Sequence, residues 1–350
     1  MSHREARGSA SFIVYCIKIT RATFREKMKY IIVGSGNISN TYIRAVKNIA
    51  DSEVVGCISR NGHVPESAPD LPCWNSLAAV DLAFDAVIIT TPNGLHHLSA
   101  VEAAKLGKHI LVEKPLDISL TAADQMIASA EEASVVLAVA YQRRTHQDNV
   151  ALKKILDRGV LGKRYSADLS CRFWRDQAYY DSADYRGGYK IDGGGVFIQQ
   201  GSHNIDNYIW LFGMPVRVTS ELATFAHTME AEDHGVALLR HSDGMIGTIV
   251  ASTCARPGYA ARLDVSCEKG TFTVTDDRIT QWNIEGIANP ASLVDAALND
   301  GVRSAVITDT SRHEAILTDF VQAIQTGVPP LCDGRDARRT TELVLQIYGL

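Results

Sequence analysis

From Lys29 onward, short apolar runs alternate with longer stretches whose apolar positions recur every three or four residues. Tyr30–Val33, Glu53–Ile58, Asp85–Thr90, His109–Val112 and Val135–Ala140 read as buried strands. Between them a helical period holds after Ile38 to about Ile49, over His96–Leu106 and over Ser119–Ala133. Strands separated by helix-length segments predict right-handed βαβ units and a doubly wound parallel sheet. Beyond Tyr141 the pattern changes. A helical stretch, Asn149–Arg158, leads through Gly159 and Gly162 into strand-like runs at Arg164–Trp174, Val216–Thr224, Val236–Arg240, Met245–Thr253, Arg262–Cys267 and Gly270–Val274. Strands in succession predict a large, open, mainly antiparallel sheet. Two final helical patterns, Glu314–Gln325 and Asp336–Tyr348, are expected to pack back on the chain. The expected organisation is therefore an α/β domain over 28–145 and an α/β domain of α+β type over 146–350.

Residues 1–27 do not fit this scheme. Phe12–Ile17 is apolar and follows Arg4 and Arg7, but Lys18 interrupts it and no small-residue cleavage pattern follows. Met28 directly opens the first strand, so the leading segment is expected to be incidental to the fold. With 350 residues, 46% hydrophobic and 21% charged, the chain has material for two cores. A net charge of −5 leaves no footprint for nucleic acid or an anionic membrane. The seven cysteines are scattered without a C-x-x-C pair, which indicates neither a zinc site nor a disulfide framework and favours a reducing, cytoplasmic setting.

The first strand ends in Gly34-Ser35-Gly36-Asn37-Ile38-Ser39, a glycine turn opening a helix. Such a turn lets a pyrophosphate approach free N–H groups at the positive end of the helix dipole. Ser39 stands where a third glycine is usual and is small enough for helix–strand packing. The second strand ends in Ser59-Arg60-Asn61 with no carboxylate to take the ribose hydroxyls of NAD. A hydroxyl beside a guanidinium suits a 2′-phosphate, so NADP is the expected cofactor, with NAD as the alternative. Thr90-Thr91-Pro92-Asn93 ends a third strand on the same rim, and His97 is read as lining the nicotinamide pocket without chemistry. At the end of the next strand stand Glu113-Lys114-Pro115. Pro115 fixes its own φ and disfavours helix at Lys114, which holds the lysine at a strand end where open sheets bind ligands.

A second chemical stretch is Asp192-Gly193-Gly194-Gly195, followed by Gln199-Gln200 and Gly201-Ser202-His203. With a helix starting at Val196, Gln199, His203 and Asn207 would share one face. Arg143 and its neighbour Arg144 either meet a carboxylate or phosphate or form a solvated pair. These motifs, in this order, resemble the glucose–fructose oxidoreductase/inositol dehydrogenase (Gfo/Idh/MocA) family over nearly everything from Lys29 to Tyr348. Inositol dehydrogenases carry an aspartate four residues before the histidine, where this chain has Gln199. The amide pair is closer to the nucleotide-sugar branch, the UDP-N-acetylglucosaminuronate 3-dehydrogenases. Phe173–Tyr180, Arg186-Gly187, Glu232-Asp233 and Thr253–Gly258 also resemble that branch.

The resemblance implies that His203 meets Lys114 across the cleft and that Arg175 and Tyr180 touch substrate. It also implies a homodimer or homotetramer through the second sheet. Oxidising a secondary alcohol needs one group to take the hydroxyl proton as hydride leaves carbon. We assign Lys114 to polarising the hydroxyl and His203 to proton transfer, with Gln199 and Arg143 as further substrate contacts and no metal. The expected activity is an NAD(P)-dependent oxidation or reduction of a sugar, at C3 of a nucleotide sugar or a related hexose. A dehydrogenase of inositol or another small alcohol, and a non-catalytic dinucleotide sensor, are the alternatives.

Overall fold

Four-residue apolar runs such as Ala86–Ile89 are completely buried, as strands covered on both faces must be. In the computed structural model, which describes residues 27–291 and 309–350, they form a six-stranded parallel sheet. Its members are β1 (Met28–Val33), β2 (Ser52–Ile58), β3 (Cys73–Trp74), β4 (Ala86–Ile89), β5 (His109–Val112) and β6 (Leu137–Val139). Their order is β3-β2-β1-β4-β5-β6, with the topological switch between β1 and β4. The crossovers run through α1 (Asn37–Lys47), α2 (His96–Lys105) and α3 (Leu120–Glu132). Two-residue β3 is too short for a periodicity and went unpredicted. The leading segment, read above as incidental, lies outside the described residues up to position 26.

The second sheet has seven strands: β7 (Arg164–Arg172), β8 (Arg217–Ala223), β9 (His234–Arg240), β10 (Ile246–Ser252), β11 (Arg262–Cys267), β12 (Gly270–Thr275) and β13 (Arg278–Ile284). Its order is β13-β12-β11-β7-β10-β9-β8, antiparallel throughout except for the parallel pair β7–β10. Inward positions Ala167, Leu169 and Cys171 pack with Ile205, Tyr208 and Ile209 of α6 (Ser202–Phe212) and with Leu343, Val344 and Ile347 of α8 (Gly334–Ile347). The other face is open, with Val236 and Leu238 of β9 and Ile246 of β10 at 40%, 49% and 43% exposure. Among the described residues no helix is long and apolar enough to cross a membrane.

The last helices pack back as expected. Ile316, Leu317 and Phe320 of α7 (Ser311–Thr326) join Tyr30, Ile32 and Tyr42 in the core on one face of the parallel sheet.

The strand missed in the sequence, β13, brings an electrostatic tie to the first domain. Its hairpin with β12 turns through Asp276 and Asp277, both at positive φ, which aims Asp277 into the first domain. There it is 4% exposed and meets Arg143 at 2.7 Å and Arg312 of α7 at 2.6 Å. Asn149 of α4 (Gln147–Asp157) adds a hydrogen bond at 3.0 Å. Burial pushes the Asp277 carboxyl up, but the two guanidiniums outweigh it and hold the group at about 2. A carboxyl depressed on folding stabilises above its unfolded value, near 4, and loses that contribution as pH falls toward 2. Asp277→Asn should therefore lower stability by about 2 kcal/mol at neutral pH. Denaturation curves of the two proteins should converge between about pH 4 and pH 2; parallel curves would refute the assignment.

Candidate functional site

The site forms where the C-terminal ends of β1, β4 and β5 meet the glycine turn before α6. Gly34 has φ +105°, and a Cβ there would come within 3.0 Å of the Thr90 carbonyl carbon, so only glycine lets β1 turn away beside β4. Thr90 Oγ1 donates to the Val33 carbonyl at 2.9 Å and closes the same junction. The N-terminus of α1, at Gly36, has no side-chain cap and no acid in its first turn. Its free N–H groups and dipole suit a pyrophosphate. Ser35, Asn37 and Ile38 flank this end, and Arg60 projects exposed beyond β2 next to Ser59. The arrangement fits a dinucleotide lying across the switch point.

The Thr90–Asn93 rim is tied to the glycine turn. Asn93 Nδ2 donates to the Asp192 carbonyl at 2.8 Å, and Gly94 N to the Ile191 carbonyl at 2.8 Å. His97 donates its backbone N–H to Asp117 Oδ2 and pairs with the same oxygen through Nδ1 at 2.9 Å. This fixes its ring as a structural element of the rim. Neighbouring His96 is fully buried, with Nδ1 2.9 Å from the Pro115 carbonyl and Nε2 2.9 Å from that of Thr91. The dinucleotide rim and the strand-end lysine are thus held to one another.

Glu113 turns inward, accepting from Tyr42 Oη at 2.7 Å and from Lys114 N at 3.1 Å. Lys114, whose peptide to Pro115 is cis, crosses to the second domain. Its Nζ donates to the Gln199 carbonyl at 2.9 Å. Burial lowers the ammonium pKa, Glu113 and Asp192 oppose that, and Arg186 adds to it.

The helix bearing His203 starts later than predicted. Residues 196–200 form tight turns and α6 begins at Ser202, so Gln199 does not share the histidine's helix face. Glu232 accepts from Gly195 N at 2.9 Å, Phe197 N at 3.0 Å and Tyr348 Oη at 2.9 Å. These bonds anchor the start of the turn, which closes through Gln199 N on the Gly195 carbonyl at 3.0 Å and Gly201 N on the Val196 carbonyl at 2.8 Å. A Cβ on Gly195 would sit 1.7 Å from the Glu232 carbonyl oxygen, so the backbones approach too closely for any other residue. Gln199 contributes its carbonyl to Lys114, and its side-chain amide is bound to the Asp192 carbonyl at 2.9 Å.

His203 is half-buried at the mouth of this turn, edge-on to Tyr141 with ring centroids 5.9 Å apart. Burial drives its pKa well below the ordinary imidazole value, and Lys114, Arg143, His313 and Arg312 push it the same way. The ring is therefore neutral at physiological pH and able to accept a proton. Asp192 faces Lys114 with its carboxyl raised by burial, while Gly187 N donates to it at 3.0 Å.

Two predicted substrate contacts are corrected. Arg143 gives its guanidinium to Asp277 and Asp276, and Arg144 is buried against Asp206 and Asp336. Both therefore meet the protein's own carboxylates. Tyr180 is 4% exposed, with its hydroxyl bonded to Thr253 Oγ1 at 2.8 Å. Its neighbour Tyr179 is bound by polar and cationic side chains instead. The Tyr179 hydroxyl accepts from Arg186 Nη1 at 3.0 Å and Gln200 Nε2 at 3.1 Å. The Arg186 and Arg175 guanidiniums lie 4.7 and 5.5 Å from its ring. Arg186 Nε and Gln200 Oε1 are buried without partners among the described residues. The two rings pack edge to face with centroids 5.1 Å apart, and the short helix α5 (Gln177–Asp181) buries Tyr180 and leaves Tyr179 half-buried.

His227, Asp233 and Cys254 bring three donor atoms within 4.8 Å. His227 already bonds Asp233 at 2.9 Å and the Arg175 carbonyl at 2.9 Å. The Cys254 thiol is pushed up to about 11, first by burial. The group is a hydrogen-bonded anchor for the Arg175 backbone.

Comparison with known proteins bears on this geometry. A family model described as the NAD-binding Rossmann fold of the GFO/IDH/MocA oxidoreductases matches residues 28–141, and that family's C-terminal domain matches 149–273. The chain is similar to the WlbA dehydrogenase of Bordetella pertussis, solved with NADH and UDP-GlcNAcA. The two are 29% identical with a TM-score of 0.81, over 93% of this chain and 96% of the other. It is also 25% identical to the UDP-N-acetylglucosamine 3-dehydrogenase of Acidithiobacillus ferrooxidans, over 91% of this chain and 96% of that protein. A scyllo-inositol 2-dehydrogenase (NADP(+)) of Bacillus subtilis is 27% identical over 71% of this chain and 68% of its own length.

Proposed function

The chain belongs to the GFO/IDH/MocA oxidoreductases, and on that premise we propose that it interconverts a secondary alcohol and a ketone on a nucleotide sugar, at C3, with NADP(H) preferred. One observation carries the reading. A half-buried lysine with lowered pKa at the end of β5 and a neutral histidine at the start of α6 flank the same cleft. A dinucleotide bound along the switch point supplies the hydride acceptor. Lys114 donates to the substrate hydroxyl and favours its ionisation, and His203 takes the proton. Gln199 supports Lys114 through its carbonyl.

The sugar class follows from charge. Arg186 and Arg175 flank Tyr179, and the unpartnered Arg186 Nε and Gln200 Oε1 offer a donor and an acceptor. Arg186 is near enough to Lys114 to act on its charge. Such a pair recognises a carboxylate or phosphate on the substrate. The bound UDP-GlcNAcA of the similar Bordetella protein carries both. A free inositol carries neither, and Gln199 replaces the aspartate an inositol dehydrogenase would use.

The open face around Val236, Leu238 and Ile246 is taken as the contact between copies of the chain. Sedimentation velocity should report a dimer or tetramer, and a monomer would remove this part of the reading.

Turnover should appear with UDP- or TDP-sugars bearing an acidic group when purified protein is screened with both cofactors. Lys114→Met and His203→Ala should each lower kcat by about 10²–10⁴ while cofactor affinity stays within a few-fold. The double variant should be little worse than the poorer single one, because the two residues act as a unit. Near-normal kcat for His203→Ala would take the histidine out of the reaction.

For the cofactor, calorimetric titration should show tighter binding of NADP(H) than NAD(H). Arg60→Ala should weaken NADP(H) selectively, since only that cofactor has a 2′-phosphate to lose. A preference for NAD(H) in the unaltered protein would sink the assignment.

A further inference from the structure

Three consecutive glycines lead into the turn that carries the Gln199 carbonyl, and each leaves room for a different neighbour. A Cβ on Gly193 would lie 2.3 Å from Ile118 Cγ2, and one on Gly194 would lie 2.3 Å from Tyr348 Oη. Gly195 is the one in near-contact with the Glu232 carbonyl. Ile118 belongs to the first domain, Glu232 precedes β9, and Tyr348 follows α8. The ring of Tyr348 stands edge-on to Tyr189 and Phe197, with centroids 5.8 and 6.5 Å apart. A phenylalanine would pack there equally well. The hydroxyl is what distinguishes the residue: it donates at 2.9 Å to Glu232 Oε1, a carboxylate only 2% exposed.

From that carboxylate a run of hydrogen bonds leads to Lys114. Glu232 Oε1 also accepts from Phe197 N at 3.0 Å, and Oε2 accepts from Gly195 N at 2.9 Å. The Gly195 carbonyl accepts from Gln199 N at 3.0 Å, and the Gln199 carbonyl accepts from Lys114 Nζ at 2.9 Å. The other end of α8 is fixed to the first domain. Thr341 Oγ1 donates to the Asp117 carbonyl at 3.1 Å, and Arg338 pairs with Asp124 of α3. Asp117 is the residue whose carboxylate holds His97 at the dinucleotide rim. Thr341 and Tyr348 are two helical turns apart and share a face, so one helix face meets the rim at one end and the glycine turn at the other. Burial pushes the Glu232 carboxyl up, and the bonds from Phe197, Tyr348 and Gly195 oppose it. A buried carboxylate that loses a donor is costly to keep in place.

We propose that Tyr348 is a positioning residue for Lys114: its hydroxyl fixes the Glu232 carboxylate and, through the glycine turn, sets where the Gln199 carbonyl meets the ammonium. The role rests on the reading of Lys114 as the group that polarises the substrate hydroxyl. Without the tyrosine hydroxyl, Glu232 is one donor short and the turn is free to shift. The ammonium then loses its fixed acceptor, while the bonds within the dinucleotide rim remain.

The test needs no sugar. Trace labelling of the full chain with acetic anhydride, read by mass spectrometry of its peptides, compares Lys114 with exposed Lys154 of α4 as an internal standard. Tyr348→Phe keeps the ring and removes only the hydroxyl. It should raise the Lys114-to-Lys154 labelling ratio about tenfold, the worth of one hydrogen bond to a charged group. The direction follows because an ammonium without its acceptor gives up its proton more readily and becomes the reactive amine. Glu232→Gln removes the carboxylate instead, should raise the ratio at least as far, and serves if the phenylalanine variant folds poorly. A ratio unmoved or lowered in a folded variant overturns the proposal and leaves the roles of Lys114 and His203 standing, whatever the sugar screen returns. With a turned-over substrate, Tyr348→Phe should lower kcat about tenfold at unchanged KM for the dinucleotide. A tyrosine that only packs would lower the melting temperature and move neither the labelling ratio nor this split.

Discussion

An ammonium held partly out of water between two domains is the constraint on which the site depends. Taking such a charge from solvent is costly unless it is hydrogen-bonded and balanced. Lys114 is bonded to a carbonyl of the other domain and balanced by Glu113 on one side and Asp192 on the other. This arrangement requires the backbone at Gln199 to present its carbonyl outward. The glycine turn does so because Glu232 occupies its N–H groups and Gly195 permits near-contact between backbones. Asn93 and Gly94 then fasten the dinucleotide rim to the same turn. One half-buried charge thus fixes the relative placement of cofactor rim, lysine and histidine.

The charges that act on His203 differ in sign from the protein as a whole. The chain carries a formal −5, yet Lys114, Arg143 and Arg312 all act on the ring, with Asp277 balancing the two arginines. Burial first, and then these cations, keep the imidazole neutral. Net charge was blind to this arrangement, because it averages over surfaces that never meet the site.

Much of the architecture was legible because it rests on local periodicity. His109–Val112 was bounded correctly from a histidine, three apolar residues and a following Glu-Lys-Pro. Ser119 serves as the cap of α3, accepting from Ala122 N. What was missed depends on contacts distant in sequence. The turn before α6 is anchored by Glu232, thirty-seven residues from Gly195, a contact that no local period in the sequence reports. Arg143 was offered to substrate because the hairpin carrying Asp277 went unrecognised. Tyr180 was chosen over Tyr179 because the facing of α5 is invisible in a pair of identical residues.

The packing of α7 has a consequence for synthesis. The face of the parallel sheet that holds Tyr30, Ile32 and Tyr42 is sealed by Ile316, Leu317 and Phe320, some 290 residues downstream. Domains generally fold from the N-terminus as the chain emerges from the ribosome. Here the nucleotide-binding half emerges first with an apolar face that its own helix α1 covers only in part. At about 5–20 residues per second, that face waits many seconds for its lid, through the whole translation of the second sheet. The nascent chain is then exposed to aggregation and to chaperone capture. The dinucleotide half, although first in order, is among the last parts of the molecule to be finished.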